Sequence, residues 1–311
     1  MSQAIAVEIA QPVGSATAAL VDAIVRRHAP AVDAVLFYGS CLRHGDPAPS
    51  DDPVFDFYVL VNDYRRLYDS RLMGFANALL PPNVFYIEAP WRDRTLRAKY
   101  AVIALPQFRR AVSTRAAHSY FWARFAQPVR LPYVRDDTTR ALVVDALAEA
   151  VTTLALHAAG LMDGSFTPRE FWTRAFEATY RAELRAERSG RAELIYEADR
   201  ERYERLCAIA LQSAGLDVQV AAEGRLTVPL AVPARRQSAL AWHRRRLLGK
   251  LLSVLRLAKG AFTFDGGVDY ILWKIERHSG VRATPTPWQR RHPLLAAPGL
   301  AWRLYRRGAF R

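Results

Sequence analysis

The chain has 311 residues, of which 51% are hydrophobic, and it carries a formal net charge of +14 at pH 7. This length allows about two domains with buried cores, and its two cysteines, Cys41 and Cys207, exclude a disulfide framework. No apolar run approaches the ~20 residues that span a bilayer, and the N-terminus lacks the basic and apolar regions of a secretion signal. We therefore expect a cytoplasmic protein without a membrane-spanning helix.

The positive charge is concentrated in the last quarter of the chain. Residues 1–112 contain 12 Lys and Arg against 11 Asp and Glu, and residues 113–234 contain 15 against 16. Residues 235–311 contain 17 against 3, which accounts for the whole excess. Such a basic segment predicts an anionic partner, which is either a membrane surface or a nucleic acid.

The segment up to residue 112 alternates strand-like apolar runs with helical patterns, which predicts an α+β domain with a small mixed sheet. The predicted elements are a helix over Ser15–His28 with Ser15 as its N-cap, strands over Val32–Tyr38 and Val54–Val61, a helix over Asp63–Leu80, and strands over Val84–Glu88 and Tyr100–Leu105.

The rest of the chain is predominantly helical. Thr167-Pro168-Arg169-Glu170 has the pattern of a capping box with proline at the first helical position, so a helix should start there and run to about Arg188. The other predicted elements are helices over Thr138–Leu161, Glu193–Ala214, Ala239–Leu257 and Val268–His278, with a short strand or wing over Gly224–Val232. We expect three domains, at residues 1–112, 113–234 and 235–311.

The most informative motif lies between the first two predicted strands. The first strand ends in Gly39-Ser40, a polar loop follows, and Asp56 opens the second strand. A Gly-Ser turn offers backbone N–H groups and a hydroxyl to phosphate oxygens. A carboxylate on the adjacent strand can hold the divalent metal that neutralises those oxygens. This arrangement favours nucleotidyl transfer.

Asp56 is the first candidate for a metal ligand, because an acidic residue in an apolar strand needs a partner. Glu88, at the end of the Val84–Ile87 run, is the candidate for a second ligand. Many nucleotidyltransferases place Asp-x-Asp at this point, but this chain has Val54 and Tyr58 two residues either side of Asp56. The alternatives are an aspartate that accepts backbone N–H groups at a strand end, and a surface glutamate in a turn.

Three cations near the motif are candidates for contact with phosphate. Lys99 begins an apolar run and would act as a compact point charge, while Arg43 and His44 follow the Gly-Ser turn in the loop. The alternatives are an ordinary lysine at a strand end and solvated charges in the loop. Cys41 has no evident base partner, so we interpret it as a packing residue.

The chain resembles the mitochondrial-type phosphatidate cytidylyltransferases, which are also called CDP-diacylglycerol synthases or translocator-maintenance proteins. The resemblance rests on Tyr38-Gly39-Ser40, on Asp56-Phe57, on Lys99-Tyr100 followed by Val102-Ile103, and more weakly on Gln127-Pro128-Val129. It spans about residues 30–200. The chain departs from the family's pattern in Cys41-Leu42-Arg43-His44 and at Ala101, where the family usually has glycine.

The resemblance implies a nucleotidyltransferase domain, a helical winged-helix-like domain and a basic C-terminal helix that meets the membrane. It implies that CTP and phosphatidic acid react, with Mg²⁺, to give CDP-diacylglycerol and pyrophosphate. Gly39 and Ser40 would then bind the β and γ phosphates, Asp56 with Glu88 would hold Mg²⁺, and Lys99 would neutralise phosphate charge.

The basic C-terminal region has two compatible partners. A leucine-rich helix with flanking cations, followed by interleaved Trp, Tyr and Arg, is typical of contact with an anionic membrane, and this favours a cytoplasmic enzyme that associates peripherally with membranes. The same tail would suit nucleic acid, so an RNA- or tRNA-directed nucleotidyltransferase is an alternative. A catalytically inactive relative that acts as a membrane scaffold is another, since the Asp-x-Asp partner is missing.

Overall fold

The computed structural model describes residues 1–43, 46, 48, 52–183, 190–221, 224–263, 268, 272, 281, 283–291 and 293–306. The chain divides into two compact units. The helical unit comprises Met1–Pro12 and Ala104–Leu255, and the sheet unit comprises Val13–Ile103 and Arg256–Arg311.

The described elements confirm the α+β class predicted from the sequence. The helices are α1 (Ser2–Ile9), α2 (Ser15–His28), α3 (Tyr64–Leu67), α4 (Arg71–Leu79), α5 (Leu105–Val112), α6 (Trp122–Phe125), α7 (Asp137–Ala159), α8 (Pro168–Arg181), α9 (Arg191–Ala198), α10 (Arg200–Ser213), α11 (Val232–Thr263), α12 (Pro287–Arg291) and α13 (Pro293–Arg306). The strands are β1 (Val32–Tyr38), β2 (Val54–Val61), β3 (Asn83–Trp91), β4 (Arg94–Ala104), β5 (Val129–Val134), β6 (Ser165–Phe166), β7 (Gln219–Val220) and β8 (Leu226–Thr227).

The sheet unit is organised around four strands that neighbour one another in the order β3-β4-β2-β1. β1 pairs antiparallel with β2, and β3 pairs antiparallel with β4. β1 is buried along nearly its whole length, as its continuous apolar run predicts. β4 alternates instead: Ala98 and Tyr100 are buried on one face, while Arg97 and Lys99 are half-buried on the other. The sheet thus presents two neighbouring cations on a single face.

The N-terminus of α2 is held by a residue distant in sequence, so the prediction that Ser15 is its N-cap is wrong. The N-cap is Gly14, and the carboxylate of Asp46 accepts hydrogen bonds from Ser15 N (3.1 Å), Ser15 Oγ (2.7 Å) and Ala16 N (2.8 Å). A Cβ on Gly14 would lie 2.2 Å from Asp46 Oδ1. The loop after the Gly-Ser turn is therefore anchored to α2 through Asp46.

The predicted helix over Asp63–Leu80 is two helices, α3 and α4. Each begins at its own side-chain cap: Asp63 accepts from Arg65 N at 2.9 Å, and Ser70 accepts from Met73 N at 3.4 Å. The sequence pattern did not reveal this break, because the helical spacing of apolar residues continues on either side of Ser70. Serine and aspartate favour caps, but they also occur within helices.

α7 is the central helix of the helical unit and packs against α1, α5, α6, α8 and α10. Contrary to the expectation from sequence, its 23 residues are long and apolar enough by length and composition to cross a bilayer. Leu147, Val151 and Leu154 are nevertheless fully buried among protein side chains. α7 therefore has the packing of a core helix.

α1 belongs to the helical unit because of a buried ion pair. Arg202 Nε donates to Glu8 Oε2 over 2.5 Å and its Nη1 donates to the Ala126 carbonyl over 2.9 Å, while Glu8 Oε1 accepts from Val129 N at 3.2 Å. A buried charge that loses its partner is strongly destabilising, so this pair ties Met1–Pro12 to the helices. The sequence-based division instead placed these residues in the first domain.

The capping box at the start of α8 is confirmed. Thr167 Oγ1 accepts from Glu170 N, and Glu170 Oε2 accepts from Thr167 N at 2.7 Å. α8 ends at Arg181 rather than near Arg188, and residues 184–189 lie outside the described part of the chain. The predicted wing is also present, because β8 pairs with β6 and β7 in a small antiparallel sheet.

α11 begins earlier and ends later than the sequence predicts. One side of it packs on the helical unit through two glycines, since a Cβ on Gly160 would lie 2.4 Å from the Ser238 side chain and a Cβ on Gly249 would lie 2.1 Å from the Ala182 carbonyl oxygen. The predicted boundary at residue 234 therefore falls within a continuous helix. The predicted helix over Val268–His278 lies almost entirely outside the described residues.

Two glycines of α11 give a matched test of this packing. We expect Gly249→Ala to destabilise the protein by about 1–3 kcal/mol, because the new methyl group has to displace backbone. Gly260→Ala meets nothing within 4 Å, so it should stabilise α11 by up to about 1 kcal/mol through helix propensity. Thermal and urea unfolding of the two variants measures this difference. Equal effects of the two substitutions would contradict the close contact with Ala182.

Candidate functional site

The Gly-Ser turn lies directly over the carboxylate of Asp56. Tyr38, the last residue of β1, pairs with Asp56 on β2, and Gly39 follows with φ +91° before a 3₁₀ turn over Ser40–Arg43. A Cβ on Gly39 would lie 3.3 Å from Asp56 Oδ2. Both the left-handed backbone and the close carboxylate therefore favour glycine at this position.

Lys99 completes the cluster from the neighbouring strand. Its Nζ lies 3.5 Å from Asp56 Oδ1, and the two side chains are 32% and 30% exposed. Three residues that the sequence analysis singled out separately, Gly39, Asp56 and Lys99, are thus brought together by β1, β2 and β4. The partial exposure leaves the pair accessible to a charged ligand.

Cys41 reports on the electrostatics of this cluster. Its thiol donates to the Val54 carbonyl over 3.5 Å. Burial raises the pKa of the Cys41 thiol, and the Asp56 carboxylate raises it further, while a hydrogen bond with Ser40 and the charge of Lys99 act in the opposite direction. Cys41 therefore remains a thiol at neutral pH, in keeping with its interpretation as a packing residue.

The described contacts of Glu88 are with residues other than Asp56. Glu88 Oε1 accepts hydrogen bonds from Arg97 Nε at 3.1 Å and from the Tyr86 hydroxyl at 2.8 Å. These partners follow from the β3–β4 register, in which Glu88 lies opposite Arg97 and Tyr86 lies opposite Lys99. The role of Glu88 as a metal ligand stays a prediction, and its described contacts are those of a residue that orients Arg97.

Arg97 is the residue that sequence reasoning missed. It contacts Glu88 on β3, and its Nη1 also donates to Asp52 Oδ1, at the end of the motif loop, over 2.8 Å. Burial alone would lower the pKa of Arg97, but Asp52 and the other acidic neighbours outweigh it and raise the pKa. The spacing of Arg97 and Lys99, two residues apart on a strand, was the available signal that both lie on one face.

The carboxylates at the site suit a metal ion only if phosphate oxygens supply further ligands. Among the described residues, no group of three or more His, Cys, Asp and Glu side chains is placed to hold a metal. Asp56 supplies one carboxylate, while Asp52 and Glu88 are bound to Arg97. Mg²⁺ is commonly bound by one or two carboxylates together with substrate phosphates and water. Asp56 therefore fits one Mg²⁺ ion that arrives with a phosphate ligand.

Two further candidates fall at the edge of the described chain. Arg43 ends the 3₁₀ turn, but its side chain lies outside the described residues, as does the whole of His44. Their predicted contacts with triphosphate stay predictions.

The cations of the C-terminal region divide into two groups. One group binds acceptors within the protein and includes Arg235, which donates to Asp163 Oδ1 at 2.6 Å, Arg245, which contacts His157, Arg256, which donates to the Pro81 carbonyl at 2.9 Å, and Lys259, which donates to the Pro82 carbonyl at 2.8 Å. The exposed group on α11 comprises Arg236, Arg244, Arg246 and Lys250. The basic character of α11 at the surface is therefore carried by this second group.

The same helix has an exposed apolar stripe, which we define as Leu240, Leu247, Leu251 and Val254. Each of these side chains is more than half exposed, and the seven- and four-residue spacing places them on one side of α11. The segment of interleaved Trp, Tyr and Arg contains Trp273, Trp288 and Trp302. Trp288 and Trp302 are exposed, while Trp273 lies outside the described residues.

No protein-family model matches the chain, and no curated protein matches it. Among solved structures, the chain is similar to a nucleotidyltransferase-like protein from Exiguobacterium sibiricum 255-15. The two are 14% identical, the similarity covers 95% of this chain and 92% of that chain, and the TM-score is 0.26. Values this low assign neither a reaction nor a substrate, so the function has to follow from the chain's own residues.

The reactivity of Cys41 tests the geometry of the cluster. Asp56→Asn removes a charge that raises the Cys41 pKa, so alkylation by iodoacetamide should become faster, whereas Lys99→Met removes a charge that lowers it and should slow alkylation. Cys207 should not be alkylated, because burial raises the pKa of its thiol to about 12. Mass spectrometry of the alkylated peptides gives both rates.

Glu88→Gln is the matched control, because Glu88 is bound to Arg97 and the side-chain charges that shift the Cys41 pKa are those of Asp56 and Lys99. Its alkylation rate should equal that of the wild type. The same rate in all three variants would contradict the placement of Cys41 beside Asp56 and Lys99.

Proposed function

We propose that the chain is a nucleotidyltransferase, and specifically a phosphatidate cytidylyltransferase that transfers CMP from CTP to phosphatidic acid. The observation that carries the general reaction is Gly39 at φ +91°, closely apposed to the Asp56 carboxylate, with Lys99 3.5 Å from that carboxylate. CTP and phosphatidic acid follow from the resemblance of the Tyr38–Ser40, Asp56–Phe57 and Lys99–Tyr100 segments to that family.

The roles of the residues follow from the charge that the reaction develops. Backbone N–H groups of Gly39 and Ser40, with the Ser40 hydroxyl, bind the β and γ phosphates. Lys99 is near enough to Asp56 to exchange that carboxylate for a phosphate oxygen. Asp56 would hold Mg²⁺ together with the triphosphate, and the ion would supply neutralising charge at the α-phosphate. Catalysis here consists mainly of positioning and charge stabilisation.

The bond changes balance without a general base. A phosphate oxygen of phosphatidic acid attacks the α-phosphorus of CTP, the bond from that phosphorus to the bridging oxygen breaks, and pyrophosphate leaves. The attacking oxygen is already anionic near neutral pH. This acceptor therefore suits a site where Asp56 is paired with a lysine and the nearby thiol of Cys41 is protonated.

Association with an anionic membrane is the second part of the proposal. The apolar stripe of α11 is flanked by the exposed cations Arg236, Arg244, Arg246 and Lys250. Helices of this kind lie in the interface of a bilayer, with the apolar side in the acyl region and the cations at anionic headgroups. We propose a cytoplasmic enzyme that is peripherally bound to the membrane carrying its acceptor.

Two other functions have specific support. Exposed Trp288 and Trp302 close to Arg290 and Arg303 in sequence suit stacking on bases, which favours an RNA-directed nucleotidyltransferase. The pairing of Glu88 with Arg97 leaves Asp56 as the one carboxylate of the described cluster, which favours a catalytically inactive membrane scaffold.

Incorporation of α-labelled CTP, with phosphatidic acid and RNA offered side by side, separates these functions. We expect label in the lipid, a Mg²⁺ requirement, and a loss of about two orders of magnitude in Asp56→Asn, since one charge-stabilising group contributes about 3 kcal/mol to the barrier. Lys99→Met should raise the KM for CTP and lower kcat. Glu88→Gln should retain most activity, because the described contacts of Glu88 orient Arg97, and a loss as large as that of Asp56→Asn would instead make Glu88 the second metal ligand.

Label in RNA alone would replace the lipid acceptor with a nucleic acid. No label in either acceptor, from folded protein, would favour the scaffold. Full activity in folded Asp56→Asn would refute the assignment of the site.

A further inference from the structure

A cavity of 360 Å³ in the helical unit is lined by residues of α8 and α11. Its apolar lining includes Ala239 and the ring of Trp242, which is almost completely buried and anchored by a hydrogen bond from its Nε1 to the His157 carbonyl at 2.8 Å. Gly249 packs against Ala182 on the same side of α11. The cavity is therefore set between two helices whose contact is fixed by close packing.

The charge around this cavity is unbalanced. Arg174, Arg181 and Arg246 line it together with a single carboxylate, Glu177. Glu177 is 3.2 Å from Arg181. Arg174 and Arg246 make no hydrogen bond or ion pair within the described part of the chain. Two unpaired guanidinium groups at one cavity favour the binding of an anion there. Arginine is the side chain best suited to bind phosphate oxygens.

A second, larger cavity of the helical unit has balanced charge. This cavity, of 870 Å³, is lined by as many carboxylates as arginines. Its Arg202 is paired with Glu8 and its Arg200 with Glu197. The excess of positive charge therefore distinguishes the cavity between α8 and α11.

The position of Arg246 connects this cavity to the apolar stripe of α11. Arg246 directly precedes Leu247 of the stripe, and Lys250 lies one helical turn further on. The cavity thus opens on the flank of the stripe, with cations between the two. This is the order of groups in an amphiphile, which has an anionic head beside apolar chains.

We propose that the cavity binds the phosphate group of an anionic phospholipid whose acyl chains lie along the apolar stripe. This inference rests on the proposed membrane association and is independent of the chemistry at Asp56. Arg174 and Arg246 bind the phosphate oxygens, and the buried Trp242 ring excludes water from one side of them. Bound lipid then holds α11 at the membrane by a specific contact in addition to its general positive charge.

Flotation of the full-length protein with vesicles tests the proposal in the absence of nucleotide. The vesicles are phosphatidylcholine alone, or an equimolar mixture of phosphatidylcholine and phosphatidic acid. The double variant Arg174→Gln/Arg246→Gln should bind the mixed vesicles roughly 25-fold more weakly, about fivefold for each cation at an anionic bilayer. The matched control, Arg109→Gln/Arg140→Gln, removes two exposed arginines of the same unit elsewhere and should change binding little.

A charge-neutral variant separates a binding cavity from general attraction to the surface. Ala239→Phe fills the cavity without altering any charge and should weaken binding to the mixed vesicles as the double variant does, whereas Ala141→Phe, on the exposed side of α7, should not. Circular dichroism verifies the fold of each variant.

Equal losses in the two arginine pairs, or no loss in Ala239→Phe, would overturn the proposal. Competition by soluble glycerol phosphate at the same concentration as the lipid would also overturn it, because the ligand would then be a free phosphate. Turnover with detergent-dispersed acceptor measures the Asp56 site separately, so failure of the cavity is distinguishable from failure of the proposed reaction.

Discussion

The candidate site depends on the close approach of one backbone turn to one carboxylate. Gly39 adopts φ +91° and leaves only 3.3 Å between an added Cβ and Asp56 Oδ2, so the turn and the carboxylate share a space that no larger residue permits without strain. The antiparallel register of β1 and β2 sets this approach, because it pairs Tyr38 with Asp56. Lys99 then supplies the charge that allows a half-buried carboxylate to remain on an apolar strand.

Two further contacts keep the motif loop in place around that approach. Asp46 anchors the loop to the first turn of α2, and Asp52 joins its end to Arg97 on β4. Arg97 also binds Glu88, so one guanidinium orders two carboxylates beside Lys99. Electrostatic preorganisation of this kind is effective because the groups need not reorganise when charge develops on a ligand.

Much of the fold followed from local patterns, whereas the contacts that shape the site did not. The limits predicted for β1 and β2 match the structure because apolar runs between polar segments define buried strands, and the Thr167–Glu170 capping box is a local signal. Other contacts join residues that come together only through tertiary packing or strand register, so local patterns do not reveal them. They are the Asp46 anchor, the Glu8–Arg202 pair and the Glu88–Arg97 pair. The register that places Glu88 opposite Arg97 cannot be read from the motif, and the role of Glu88 as a metal ligand stays a prediction.

Calorimetric titration of CTP with Mg²⁺ into the wild type, Gly39→Ala and Gly164→Ala tests whether the Gly39 turn binds the nucleotide. Both glycines have positive φ, but a Cβ on Gly164 meets nothing within 4 Å, while one on Gly39 meets Asp56. We expect Gly39→Ala to lose CTP binding and Gly164→Ala to retain it, with similar modest losses of thermal stability from backbone strain. Undiminished CTP binding in a folded Gly39→Ala protein would contradict the central claim that this turn and Asp56 form the nucleotide site.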